Sequence, residues 1–158
     1  MFQGLANKKV VVIGASSGIG LAVARETAKL EAHVVMSSRS IDKLNQAMAS
    51  VSGRVEAISA DILNKASINW LFEQVEKFDH LVVTAIADEN LLRSPLSEMT
   101  VEIAQRGMEK FWRTFFAIRA AVKNIAQDGA ITLTSSVSIF KPARHLLRAG
   151  SCLPLVVQ

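Results

Sequence analysis

The chain has 158 residues, of which half are hydrophobic and a fifth charged, with a net charge of +4. That is the length of one domain able to bury roughly 68–70% of its unfolded surface, and the balance excludes a disordered chain. Its lysines and arginines are scattered, which excludes a nucleic-acid-binding arm and a polybasic membrane patch, while a single cysteine, Cys152, excludes a disulfide framework, a thiolate metal cluster and a C-x-x-C pair and predicts a cytoplasmic setting.

Lys8-Lys9 and the apolar residues up to Ala22-Val23-Ala24 imitate a secretory signal. Glycines and serines interrupt what would have to be a greasy helix, so export is not expected. No stretch approaches the roughly 18 apolar residues of a membrane span. The first predicted strand is "KKVVVIG" (8–14), followed by a helical pattern over 18–30 that carries Leu21, Val23, Ala24, Ala28 and Leu30. Strand and helix then alternate: "AHVVMSS" (32–38), a helix over 41–50, "RVEAISA" (54–60), a helix over 64–77, "DHLVVTA" (79–85), a long helix over 101–126, and "AITLTSS" (130–136). Strands that are apolar without in-out alternation are covered on both faces. The order therefore predicts an α/β fold: a Rossmann-type, doubly wound parallel sheet of about five strands, with ligands at the carboxyl ends of the strands. No boundary is expected inside 1–142.

Between the first strand and first helix stands Gly14-x-x-x-Gly18-x-Gly20. Such a turn needs backbone angles that glycine adopts cheaply, and bare backbone lets amide groups approach a pyrophosphate at the helix N-terminus. Gly14, Ser16, Ser17, Gly18, Ile19 and Gly20 are thus the candidate phosphate cradle, Ser16 and Ser17 adding hydroxyl donors. The plain alternative is a tight turn that only packs strand against helix. About 20 residues on, the second strand ends in "SSRS", where a dinucleotide site meets the adenosine ribose. The acid that suits NAD is absent. Arg39, aided by Ser38, can grip a 2′-phosphate with its planar fork, which points to NADP(H); the alternative is an exposed arginine before a helix.

"VVVIGASSGIGLAVA", "VVMSSRSIDKL", "ADI" (60–62) and "AITLTSS" occur in the order of the short-chain dehydrogenase/reductase family, which the chain resembles over roughly residues 6 to 140. The resemblance implies a nicotinamide cofactor, an adenine pocket lined by Asp61 and Ile62, and a small carbonyl or alcohol substrate. The chain departs from the family pattern at Ile13, commonly threonine, and at Thr84-Ala85-Ile86-Ala87, where an Asn-Asn-Ala-Gly turn is common; Thr84 and Ala85 keep their place beside the cofactor. The family's catalytic serine maps onto Ser136, and its helix asparagine falls near Lys110. The Tyr-x-x-x-Lys pair that supplies the general acid has no counterpart, since the sequence contains no tyrosine.

After "SIFKPAR" the residues "HLLRAGSCLPLVVQ" show no periodicity, so 143–158 is expected to be an atypical tail where the family would continue into another helix and two more strands. That makes the sheet incomplete at its C-terminal end and the chain a truncated member, as a frameshift or premature stop in an ancestral gene would produce. His33, His80 and His145 have no ligand spacing, so no metal site is expected. Phe111, Trp112, Phe115 and Phe116 read most simply as core against the sheet, although the stripe is wide enough to serve a partner; the family resemblance implies a homo-oligomer through the helix at 105–126. Two functional expectations stand together: an NADP(H)-dependent oxidoreductase impaired in catalysis, and a non-catalytic nucleotide-binding remnant or interaction module.

Overall fold

A computed structural model describes residues 4–85, 93–94, 98, 100–134 and 147–148, with side chains described for all of these except 93, 94, 104, 107, 110, 147 and 148. In chain order the elements are β1 (Lys9–Ile13), α1 (Gly18–Lys29), β2 (His33–Ser38), α2 (Ile41–Met48), β3 (Val55–Ser59), α3 (Lys65–Val75), β4 (Phe78–Val83), β5 (Arg93–Ser94), α4 (Val101–Ala121), β6 (Ile125–Leu133) and β7 (Leu147–Arg148).

Five strands form one parallel sheet in the order β3-β2-β1-β4-β6. Alternate residues of each strand enter opposite faces. Val10, Val12, Val34 and Met36 therefore pack with Ala24, Ala28, Leu44 and Ala47 of α1 and α2. Val11, Ile13, Val35, Leu81 and Val83 pack with Ile68, Leu71, Phe72 and Val75 of α3 and Ala117 and Ala121 of α4. This double coverage is why the strands read as continuous apolar runs. The chain winds outward from β1 to β3, then crosses back to β4 on the other side of β1, so the strand order reverses between β1 and β4. A crevice opens at the carboxyl ends of strands at such a point.

The fold class and the strand–helix order expected from the sequence are present. The last helix and strand differ in their limits. The helix expected over 101–126 ends at Ala121, and the strand expected at 130 begins at Ile125. Val122 and Ile125 continue the helical spacing, but the Asn124 amide bonds to the Ala121 carbonyl in a turn. The pairing with β4 then skips from Phe78↔Ile125 to His80↔Ala130, so residues 126–129 are taken up in an irregular, bulged start that periodicity does not reveal.

The aromatic stripe of α4 is also not the core that was expected. Ala117 and Ala121 are fully buried against the sheet, and their small size brings the helix axis close. Two of the larger rings are turned aside: Trp112 and Phe115 are 49% and 42% exposed, edge to face with each other, while Phe115 stacks on Phe111 and Trp112 on Phe116, both half-buried. Outside the sheet, β5 and β7 pair antiparallel, two residues each, tying 147–148 to 93–94. Elements of that length leave no periodicity to read.

Candidate functional site

The carboxyl end of β1 runs into the glycine turn. Gly14, at φ +96°, sends its amide to the Ser37 carbonyl of β2, as does Ala15. Thr84, just past β4, closes the other side: its amide bonds to Ile13 O, and its hydroxyl donates to Ile13 O at 3.2 Å and approaches Gly14 O at 3.4 Å. A Cβ on Gly20 would stand 2.2 Å from the Gly14 carbonyl oxygen, so α1 packs on the turn with no room for a side chain. A Cβ on Gly18 would meet nothing within 4 Å. That glycine faces open space.

The N-terminus of α1 is what makes this space chemically useful. The other three helices have their first turns tied by side chains: Ser40 accepts from Lys43 N, Asn64 from Ala66 N and Ser67 N, and Thr100 from Ile103 N. Ser17, the cap of α1, makes no side-chain cap bond. Among the described residues no side chain caps the first amides of α1, which stand at the positive end of a helix dipole beside bare glycine backbone. A pyrophosphate fits that set of donors.

These amides open into a cavity of 1320 Å³. Every expected cradle residue, Gly14, Ser16, Ser17, Gly18, Ile19 and Gly20, lines it, as do Ser38, Arg39, Ile62, Thr84 and Ala85. Ser38 Oγ donates to the Ser40 carbonyl at 3.3 Å, and Arg39 is held by its own carbonyl, which accepts from Ser59 Oγ. The Arg39 side chain is exposed and has no ion-pair partner among the described residues. Asp61 sits between Ala60 and Ile62, which line the cavity. Its carboxylate accepts the Leu63 amide at 3.0 Å and its amide donates to Ser67 Oγ, so it shapes the turn that presents Ile62 and Leu63. Ser136 lies outside the described residues, and so does the side chain of Lys110.

Sequence reasoning missed two groups in the same cavity. Arg25 of α1, whose guanidinium donates to Ser50 Oγ at 2.7 Å, stands with Lys43 along the groove between α1 and α2. Arg106, Glu109 and Arg113 of α4 form the opposite wall, Glu109 and Arg113 being ion-paired. The lining thus carries five cations against one carboxylate. The signal for the second group was present at spacing i, i+3, i+7 on α4, overshadowed by the aromatic stripe beside it.

The model of the short chain dehydrogenase family matches residues 8–147. This chain belongs to the short-chain dehydrogenase family. Among relatives of this family, a hydroxynaphthalene reductase-like protein, Arp2, of Metarhizium guizhouense is 32% identical over 157 residues, covering 94% of this chain and 59% of the relative. An uncharacterized oxidoreductase of Staphylococcus epidermidis is 27% identical over 141 residues, covering 87% and 61%. Among solved structures, the NADPH-bound short chain oxidoreductase from Pseudomonas aeruginosa PAO1, described as containing an atypical catalytic center, superposes with a TM-score of 0.82 at 26% identity, covering 91% of this chain and 59% of that one. L-sorbose reductase from Gluconobacter frateurii, complexed with NADPH and L-sorbose, gives 0.82 at 27% identity, covering 95% and 60%. The chain therefore spans about three fifths of the length of these relatives. No helix among the described residues is long and apolar enough to cross a membrane.

Proposed function

We propose that this short-chain dehydrogenase binds NADP(H) in the cavity at the carboxyl ends of β1, β2 and β4, and that it descends from hydride-transferring oxidoreductases acting on a small carbonyl or alcohol. The observation that carries the reading is the N-terminus of α1, without a side-chain cap, opening through Gly18 into a cavity that also holds Arg39, which has no ion-pair partner among the described residues. The α1 amides hold the pyrophosphate; Arg39 takes the 2′-phosphate, and the turn at Asp61 sets Ile62 against the adenine. The NADPH described in two similar structures supports the choice of cofactor. Bound there, the nicotinamide supplies or accepts the hydride.

Proton transfer is the weak step. Ser136 polarises the substrate oxygen in this reading, with Lys110 or a water delivering the proton in place of the absent tyrosine. Loss of a positioned general acid costs about 10²- to 10⁴-fold in rate, so turnover by the residues of this chain is slow. The similar Pseudomonas oxidoreductase is described as containing an atypical catalytic center, which supports a catalytic set here that departs from the family pattern. A second reading, a nucleotide-binding interaction module without turnover, is favoured by the exposed aromatic stripe of α4, whose natural partner is a second copy of the chain. The single cysteine supports a cytoplasmic setting for either.

Fluorescence titration with NADPH and NADH tests the cofactor. NADPH is expected to bind at least tenfold more tightly, and Arg39→Ala to weaken NADPH by about 10- to 150-fold, the equivalent of roughly 1.5–3 kcal/mol for a charged hydrogen-bonding partner. Equal affinities, or an Arg39→Ala variant that binds NADPH as well as wild type, would overturn the NADP(H) assignment. Turnover of NADPH with a panel of ketones, abolished by Ser136→Ala, separates the oxidoreductase from the module.

A further inference from the structure

The part of the cavity between α1 and α2 holds cations that a dinucleotide gripped at the α1 amides and Arg39 does not use. α1 packs on β1 and β2, and α2 on β2 and β3, so the groove between these helices runs over β2, with β1 separating it from Thr84 at the end of β4. Leu21 and Arg25, one turn apart on α1, form one side; Lys43, Gln46 and Ser50, at i, i+3 and i+7, form the other, over the buried Ala47. Arg25 is held in place without being neutralised. Its guanidinium donates to Ser50 Oγ at 2.7 Å, and that hydroxyl donates to the Ala47 carbonyl at 2.6 Å. A guanidinium has five N–H donors, so one bond to a neutral group leaves most of the fork open. Neither Arg25 nor Lys43 has an ion-pair partner among the described residues. The nearby acids are turned elsewhere: Glu26 pairs with Lys29 at 2.7 Å, and neither Glu26 nor Asp42 lines the cavity.

A guanidinium fork and an ammonium on one groove, with no carboxylate on that side, suit a doubly charged tetrahedral oxyanion. There is also room for one. The cavity, at 1320 Å³, exceeds the roughly 300–1,000 Å³ of a site built for a single ligand. We infer that the groove between α1 and α2 is a second anion subsite, which takes the phosphate of a phosphomonoester alongside the dinucleotide. Arg25 binds the phosphate with its open fork, Lys43 adds a point charge, Gln46 supplies an amide donor, and the organic body of the ester rests on Leu21 and Ala47. These phosphate contacts stand independently of the NADP(H) reading; the role of the ligand rests on it. With the 2′-phosphate at Arg39, on the β2 side, the nicotinamide end of the dinucleotide lies beyond β1. A phosphomonoester in the groove therefore does not meet the hydride and acts as an effector, its charge repelling the 2′-phosphate beside it.

The test titrates the full chain with phenyl phosphate by calorimetry. Saturable binding is expected, weakened about five- to tenfold by Arg25→Gln and by Lys43→Gln, and retained both in Arg39→Ala and in the NADPH-loaded protein. Lys29→Gln, which removes a cation of α1 outside the groove, is expected to leave it unchanged. Inorganic phosphate is expected to bind more weakly, since it leaves Leu21 and Ala47 bare; equal binding would overturn the ester in favour of the free ion. Saturating phenyl phosphate is expected to raise the apparent Kd for NADPH about two- to fivefold and then level off, as repulsion between neighbouring anions gives; an unchanged Kd overturns the effector role. Absence of saturable binding, or equal losses from Arg25→Gln and Lys29→Gln, overturns the subsite and leaves only general surface charge. Binding lost in Arg39→Ala but kept in Arg25→Gln also overturns it, by placing the phosphate at the 2′-phosphate position, and leaves the NADP(H) assignment intact. Failure of wild type to bind NADPH overturns that assignment and the effector role, while the Arg25 and Lys43 variants still decide the subsite.

Discussion

A methyl group on Gly20 would stand 2.2 Å from the Gly14 carbonyl oxygen and 2.5 Å from Thr84 Oγ1, and the first of these is backbone that cannot swing away. Gly20→Ala must therefore push α1 off the end of β1, and overpacking of this kind costs about 1–3 kcal/mol or more. Gly18→Ala differs in kind. The new Cβ meets no protein atom within 4 Å, so the fold loses only the cost of holding a non-glycine residue at φ +54°, about 1–2 kcal/mol, while the methyl fills space that a pyrophosphate needs. Thermal melting together with NADPH titration is expected to separate the two: Gly20→Ala loses stability heavily, and Gly18→Ala stays folded but fails to bind. A Gly18→Ala variant that binds NADPH like wild type would remove the phosphate cradle from the N-terminus of α1.

At the level of elements, the strands and first three helices were legible because a parallel sheet covered on both faces imposes a long apolar run on every strand, as in Val10–Ile13 and Val34–Met36. The glycine turn was legible for a local reason: a Cβ at Gly14 or Gly20 would run into backbone at 2.7 and 2.2 Å, and Gly14 and Gly18 hold positive φ, which other residue types adopt only at a cost. Legibility failed at α4 and β6. Their spacing continues past Ala121, and only the pairing of β6 with β4 decides where the helix stops, a contact 47 or more residues away in sequence (78 to 125). The polar wall of α4 was missed because a helix face is identified as site or solvent by what lies across from it. The apolar face shows the converse. Val101, Met108, Trp112, Phe115 and Val122 are all more than 40% exposed and follow i, i+7, i+11, i+14 and i+21, a continuous stripe down the helix of the sort that marks an interaction surface. If a second copy covers it, sedimentation at tens of micromolar is expected to show a dimer or larger species, and Trp112→Lys with Phe115→Glu to give a monomer with unchanged NADPH affinity. A wild-type monomer at high concentration would leave the stripe without a self-partner.

Across the whole molecule, the ends of the strands opposite the cavity are tied by charge. Lys8 Nζ reaches Asp79 at 2.8 Å and Asp128 at 3.3 Å, while Asp79 also accepts the Lys9 amide at 2.8 Å, so the Asp79 carboxylate ties β4 to β1 and the Lys8 ammonium bridges it to Asp128 in β6. Burial alone would push the Asp79 carboxyl up, but the Lys8 ammonium and the Lys9 amide outweigh it and hold the group below its ordinary value. A depressed carboxylate stabilises the fold above its unfolded value of about 3.9, and that contribution is lost as pH falls through the lower folded value. On the neighbouring strands His33 lies against Glu56, with Arg54 and Lys9 also near. Burial lowers its value despite the carboxylate, and the two cations reinforce that. A lowered histidine stabilises above about pH 6.5 and loses that stabilisation as pH falls through its folded value. Both groups therefore act in the same direction, in two separate windows. The urea midpoint is expected to fall in a first, shallow step below about pH 6.5 and in a second step below about pH 4. His33→Gln is expected to flatten the first step alone. Asp79→Ala is expected to remove part of the second and to cost about 1–2 kcal/mol at pH 7, because the Lys9 amide loses a charged acceptor. A urea midpoint that held constant between pH 7 and pH 5 in wild type would show that His33 titrates alike in the folded and unfolded chain.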